Sequence, residues 1–136
     1  MIYIGIDPGV HTGCAVWASK DRIFTDIKTL KLHQAWYRVK DLYLRQPNSL
    51  IVIVEDARLR NWFGKKGREV LQGAGSIKRD CGAWDDFLTD EKIPHRFVPP
   101  KDNITRIDEQ YFVQLTKWGG RTSVHSRAAA MLVYGR

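Results

Sequence analysis

Apolar positions recur along the chain with two periods, and the switches between them mark its elements. Residues 2–7 (IYIGID) are apolar and β-branched up to a terminal acid, and Asp7-Pro8-Gly9 turns the chain. Residues 13–18 (GCAVWA) predict a second strand. Lys20-Asp21 leads into a third, over about Arg22 to Thr29, which makes a meander. Leu32, Trp36, Val39, Leu42 and Tyr43 then recur at helical spacing, predicting a helix over 31–46 that Pro47-Asn48 ends. Residues 50–54 (LIVIV) are continuously apolar, as in a central strand covered on both faces, and Glu55 and Asp56 follow at its C-terminal end.

The second half is more broken. Residues 57–68 (ARLRNWFGKKGR) are basic, aromatic and glycine-punctuated, and read as a loop. Residues 69–89 read as a helix, although Gly73, Gly75 and Gly82 weaken that expectation. HRFV (95–98) is a short strand closed by Pro99-Pro100. Thr105 to Trp118 reads as a helix with Ile107, Tyr111, Phe112 and Leu115 on one side, broken by Gly119-Gly120. Ser123 to Tyr134 is a final helix with Ser123 or Thr122 as N-cap. The order β-β-β-α-β-α-β-α-α predicts an α/β fold, a mixed five-stranded sheet of antiparallel meander plus parallel strands with helices packed on it.

With 136 residues, the chain is expected to be one domain spanning 1–136, and 43% apolar residues suffice for a core. No stretch approaches the ~20 apolar residues of a membrane span. The start, MIYIGID, lacks the charged and apolar regions of a signal peptide, so a cytoplasmic protein is expected. Cys14 and Cys81 have the spacing of neither a zinc site nor a disulfide framework, and read as reduced and structural. The net charge of +7 and pI of about 9.6 favour a polyanionic partner, with mere solubility as the alternative.

The chemistry concentrates at strand ends. Asp7 closes the first strand and Glu55 the fourth, and both strands are apolar enough to be central. If the strands are neighbours, the two carboxylates meet at one edge of the sheet and repel, which a bound cation relieves. Mg²⁺ suits such a pair, because it completes its shell with waters and substrate phosphates and supports phosphodiester hydrolysis. The alternative is that Asp7 caps a turn and Glu55 is a solvated strand end.

The segment IGIDPGVHTG around Asp7 resembles the first-strand motif of the RuvC family of Holliday junction resolvases. VIVEDARLRNWFG resembles that family's strand-end glutamate with its DNA-contacting loop, and VHSRAAAMLVYGR its last helix. The resemblance runs in order over nearly the whole chain. It implies an RNase H-like fold with helices on both faces of the sheet, and a homodimer. It further implies two divalent ions per active site, Mg²⁺ with Mn²⁺ as a substitute, and symmetric nicks in a four-way DNA junction. Asp7 and Glu55 match the first two metal carboxylates. In the last helix the family has two functional residues three apart, the first an aspartate or histidine and the second an aspartate. His125 matches the first, whereas the second falls on Ala128.

That departure predicts impaired cleavage, because positions 125 and 128 share a helix face and an acid at 128 would complete the cluster. Two explanations stand: an acid-to-alanine change made on purpose, or a natural junction-binding module that does not cut. Asp56 is a poor substitute, since successive strand residues point to opposite faces. The resemblance assigns His125 to metal ligation or to proton handling around the attacking water; on its own, a histidine near a helix start is an ordinary surface residue.

From Ala57 to Arg79, seven basic residues (Arg58, Arg60, Lys65, Lys66, Arg68, Lys78, Arg79) face one acid, Glu69. They are candidate phosphate contacts directly after Glu55. Trp62 and Phe63 within the run are candidates to stack on an unpaired base or wedge between base steps, against an alternative role anchoring the loop. Lys101 matches the functional lysines that the resemblance places in this region, where it would hold the scissile phosphate. Arg106, Arg121 and Arg127 are further candidate phosphate contacts. Gly73, Ala74, Gly75, Ser76, Trp84 and Phe87 make 69–89 a candidate dimer face, against ordinary packing on the sheet.

Three competing functions follow. DPGVHTG also resembles the phosphate-gripping hairpin of sugar-kinase and actin-like ATPases, but those need two such domains. A junction-binding module without cleavage, and another RNase H-like nuclease acting on hybrids or flaps, are the others. A chain this short suggests a phage-encoded protein in a bacterial host, or one associated with the nucleoid.

Overall fold

The computed structural model describes residues 1–60 and 68–136, with the backbone alone over 68–74. Trp62, Phe63, Lys65 and Lys66 therefore lie outside the described residues, as does the side chain of Arg68.

Strands β1 (Ile2–Asp7), β2 (Thr12–Ala18) and β3 (Ile23–Leu30) form the meander. Helix α1 (Leu32–Arg45) leads to β4 (Leu50–Glu55), and α2 (Arg68–Asp90) to β5 (His95–Val98). Helices α3 (Glu109–Thr116) and α4 (Val124–Val133) close the chain. The five strands make one sheet in the order β3-β2-β1-β4-β5, with β1, β4 and β5 parallel and the meander antiparallel. Central β1 is thus flanked by β2, the strand after the turn at Asp7, and by β4, the most apolar strand.

Alternation along the strands builds two cores. Ile4, Ile6, Val52 and Val54 pack with Ala35 and Val39 of α1 and with Trp84 and Leu88 of α2. Ile53, Ala15 and Trp17 face the other way, onto Phe112 of α3 and Ala129, Ala130 and Val133 of α4. Helices therefore cover both faces of the sheet. Trp84 is fully buried and Phe87 stacks on Trp36 at 5.3 Å between ring centroids, so these two belong to this chain's own core rather than to a free dimer face. Cys14 and Cys81 are buried free thiols.

Helix α3 is shorter than its apolar spacing predicts. Asp108 is its N-cap, its carboxylate accepting from Tyr111 N at 3.0 Å, so the helix starts after Ile107 instead of at Thr105. Ile107 still packs into the second core, from the preceding turn. Lys117, in the left-handed conformation at φ 60°, ends the helix. Ser123 caps α4 by accepting from Ser126 N at 3.1 Å, and Ser126 returns the contact to Ser123 N at 2.8 Å.

Candidate functional site

Strand parity selects the face on which the acids lie. On β1, Ile4 and Ile6 enter the α1–α2 core, which leaves Gly5 and Asp7 for the α4 side. On β4, Val54 does the same, which leaves Ile53 and Glu55 for the α4 side. β1 and β4 pair in parallel up to Ile6↔Val54, so Asp7 and Glu55 are the next residues of two adjacent strands. The acids that end the two most apolar strands thus stand together at the C-terminal edge of the sheet.

Helix α4 is seated over this edge by two glycines. A Cβ at Gly5 would come within 2.0 Å of the Ala129 carbonyl oxygen, and one at Gly13 within 2.0 Å of the His125 carbonyl oxygen. Only glycine permits such an approach of helix backbone to strand backbone. Gly13 pairs with Asp7 across the β1–β2 ladder, so the helix start comes down beside Asp7. There His125 Nδ1 lies 3.1 Å from Asp7 Oδ2. His11, in the β1–β2 turn, places its ring 6.4 Å from that of His125.

Both acids are raised above their ordinary values. Burial raises Asp7, and the hydrogen bond and charge of His125 partly offset it. Glu55 is pushed up to about 7, chiefly by burial, with the Asn103 hydrogen bond opposing, the Asp7 charge adding to the rise and Arg60 opposing again. The two carboxylates therefore feel one another, as expected of a pair that shares a cation.

Asn103 is the residue that sequence reasoning missed. It follows the 3₁₀ turn Pro100–Asp102 after β5, and its Nδ2 donates to Glu55 Oε2 at 2.6 Å and to the carbonyl of Ala128 at 3.1 Å. Its Oδ1 is buried with no hydrogen-bond partner among the described residues. A neutral amide in a turn carries neither charge nor periodicity, so only its nearness to Lys101 could have singled it out.

Ala128 is 2% exposed and brings no side-chain oxygen to the site. Among the described residues no group of three or more His, Cys, Asp and Glu side chains is placed to hold a metal. What converges is two carboxylates plus a histidine bonded to one of them. Mg²⁺ needs only one or two protein carboxylates, so Asp7 and Glu55 could hold one divalent ion, and the described residues here offer no further acid for a second.

Other candidate residues are placed variously. Asp56 lies on the opposite face, 1% exposed and bound by Arg58, whose Nε reaches Oδ1 at 2.9 Å and whose Nη2 reaches Oδ2 at 2.7 Å. Arg58 also bonds Asp85 of α2 at 3.2 Å and lies over the Phe97 ring, so the charge read as a phosphate contact is committed to a structural ion pair. Arg127 differs from expectation in the same way: it is 8% exposed, donating to the Ile107 carbonyl and to Thr122 Oγ1, each at 3.0 Å. Lys101, Arg106, Arg121, Arg60 and Arg79 are exposed, and Lys78 is partly so. Arg106, Ile107, Asp108, Val124 and His125 line an open cleft at the start of α4.

No family model matches the chain, and no curated protein does. Among solved structures the chain is similar to T. thermophilus RuvC in complex with a Holliday junction substrate. The TM-score is 0.60 at 17% identity, over 97% of this chain and 90% of that one. A likeness at that identity concerns the fold alone, and the fold of this chain, a mixed five-stranded sheet with helices on both faces, is RNase H-like.

Proposed function

We propose that the chain is a structure-selective endonuclease of the junction-resolving type, which binds four-way DNA and hydrolyses its phosphodiester bonds with a divalent cation. As written, with Ala128, its cleavage is impaired. The observation that carries this reading is the pairing of Asp7 and Glu55 on adjacent strand ends beneath α4, with His125 on Asp7, in a fold similar to that of RuvC.

Asp7 and Glu55 would hold the cation, Mg²⁺ or Mn²⁺, each through carboxylate oxygen. The cation supplies a lowered pKa for water and charge neutralisation at the phosphate. Asp7 beside Nδ1 of His125 favours the tautomer with the proton on that nitrogen, which leaves Nε2 to take the proton of an attacking water. Lys101, exposed on the turn that leads to Asn103, would meet the scissile phosphate from solvent. Exposed Arg60, Arg79 and Arg106, with Lys65 and Lys66, supply sequence-independent phosphate contacts, so binding weakens with salt. Trp62 and Phe63 are proposed to engage the junction centre.

A symmetric junction calls for two such sites about a two-fold axis, hence a homodimer. Two ions per site, as in the resemblance, would require an acid at 128; with Ala128 the residues present would hold one. A cytoplasmic protein, nucleoid-associated or phage-encoded, fits a DNA substrate, and among the described residues no helix is long and apolar enough to cross a membrane.

A second reading is favoured by Ala128 itself: a module that binds junctions and leaves them uncut. Both are tested by incubating the chain and its Ala128→Asp variant with a labelled four-way junction, in Mg²⁺ and in EDTA. Junction binding by both, with paired Mg²⁺-dependent nicks from the variant, supports the nuclease. Binding without nicks by either supports the module. No preference for the junction over plain duplex, and no cutting, removes both.

A further inference from the structure

We infer that Asn103 is a positioning residue of the cation site, holding the Glu55 carboxylate in place and tying it to α4 at the position that lacks an acid. The inference rests on the reading of Asp7 and Glu55 as cation ligands. It does not follow from the resemblance, which placed no asparagine here.

Both groups that Asn103 Nδ2 meets, Glu55 Oε2 and the Ala128 carbonyl, are pure acceptors when Glu55 is ionised. This fixes the amide orientation, because the flipped amide would set oxygen against oxygen twice. The NH₂ group spends its two protons on one strand end and one helix turn, reaching Glu55, 48 residues away, and Ala128, 25 residues away. Each element is itself anchored: β4 is paired on both sides, and α4 rests on Gly5 and Gly13. The bridge therefore pins a long, three-torsion side chain between two fixed frames.

The consequence is chemical. A glutamate free to rotate loses conformational entropy when it takes a cation, whereas one already held loses little. With Oε2 committed to Asn103, Oε1 makes no hydrogen bond among the described residues and is the oxygen left for the ion. In a site with an acid at 128, a third carboxylate would help define the ion's position. Here a donor from the β5–α3 connection orients the second carboxylate instead. Outer-shell partners of metal-binding carboxylates typically change metal affinity 10- to 100-fold when lost.

The test is Mn²⁺ binding to the full chain, followed by titration calorimetry and by the paramagnetic resonance signal of free Mn²⁺. The variants are Asn103→Ala and the near-isosteric Asn103→Leu, which retains bulk without a donor. Junction affinity in EDTA and thermal stability are measured alongside. The expected result is Mn²⁺ affinity reduced about tenfold or more in both variants, with junction affinity in EDTA within about twofold of the parent. Unchanged Mn²⁺ affinity in a folded variant overturns the inference and leaves the cation site standing. Parallel loss of junction and Mn²⁺ binding, or failure of both variants to fold, makes Asn103 a structural residue and overturns it too. If the parent chain binds no Mn²⁺ and Glu55→Gln changes nothing, the cation reading of Asp7 and Glu55 itself falls, and this inference with it.

Discussion

Gly13 and His125 meet backbone to backbone: a Cβ on Gly13 would stand 2.0 Å from the His125 carbonyl oxygen and 2.4 Å from its carbon. Because Gly13 pairs with Asp7 in the ladder, this contact sets where the first turn of α4 lies relative to the first acid. The obstacle to a methyl group is backbone, which cannot rotate away. Gly13→Ala must lift the helix start, at a cost of about 3 kcal/mol or more. Gly119→Ala meets no described atom within 4 Å and should change stability by less than about 0.5 kcal/mol. Urea unfolding of the two variants measures the contrast. A Gly13→Ala protein as stable as the parent would mean that α4 does not sit this close to β2.

The Arg58–Asp56 pair makes a pH-dependent prediction. Burial alone would raise the Asp56 pKa, but the side-chain, backbone and charge contacts of Arg58 outweigh it, and the pKa is lowered. A depressed carboxylate stabilises the fold above its unfolded value of about 3.9, and that contribution is lost as pH falls through the folded value. Arg58→Ala leaves a 1% exposed carboxylate without its cation. Such a loss costs ~3–5 kcal/mol for a fully buried pair, and about 2 kcal/mol here because the arginine side chain is 33% exposed. The deficit should be full at pH 7 and shrink by pH 3, as read from denaturant midpoints at the two pH values. A deficit independent of pH would assign the effect to lost packing over Phe97.

How legible all this was in the sequence depends on what each residue's signal reports. Asp7 and Glu55 were readable because each acid closes an apolar run of strand length, whereas the face each takes comes from the parity of the folded strands. Their apolar runs marked β1 and β4 as central, but that the two are neighbours was only a condition until the ladder paired them. Helix α4 was readable from its cap and its small apolar face. The start of α3 was not: Ile107 continues the helical spacing yet packs from a turn, because Asp108 caps the helix after it. Arg58 and Arg127 have partners that the sequence did not reveal, for a common reason. A basic residue looks the same in sequence whether its charge meets solvent or a carboxylate and carbonyls brought near by the fold, and here the partners are Asp56, Asp85 and Ile107. Asn103 had no signal of its own, since its role comes from two elements distant in sequence.

Glu55 should cost the metal-free fold stability, and this connects stability to the proposed chemistry. Its pKa rises to about 7 in the folded chain, mainly through burial, from an unfolded value of about 4.3. A raised carboxylate leaves the fold unpenalised below the unfolded value. Stability is then lost as pH climbs from there through the folded value, and the loss is complete above it. Glu55→Gln removes the charge while keeping an oxygen to accept from Asn103. In EDTA it should therefore be more stable than the parent at pH 8, by about 1–2 kcal/mol. That is less than the ~1.4 kcal/mol per unit of a fully buried group, because Glu55 is only partly buried and solvent screens it. At pH 4 the two proteins should unfold alike. Millimolar Mg²⁺ at pH 8 should then reverse the order, raising the Tm of the parent by mass action and leaving Glu55→Gln unmoved. Thermal melts at the two pH values, with and without Mg²⁺, make the comparison. A parent Tm indifferent to Mg²⁺ at pH 8 would show that the repulsion between Asp7 and Glu55 is not relieved by a cation, and that these two acids do not form its site.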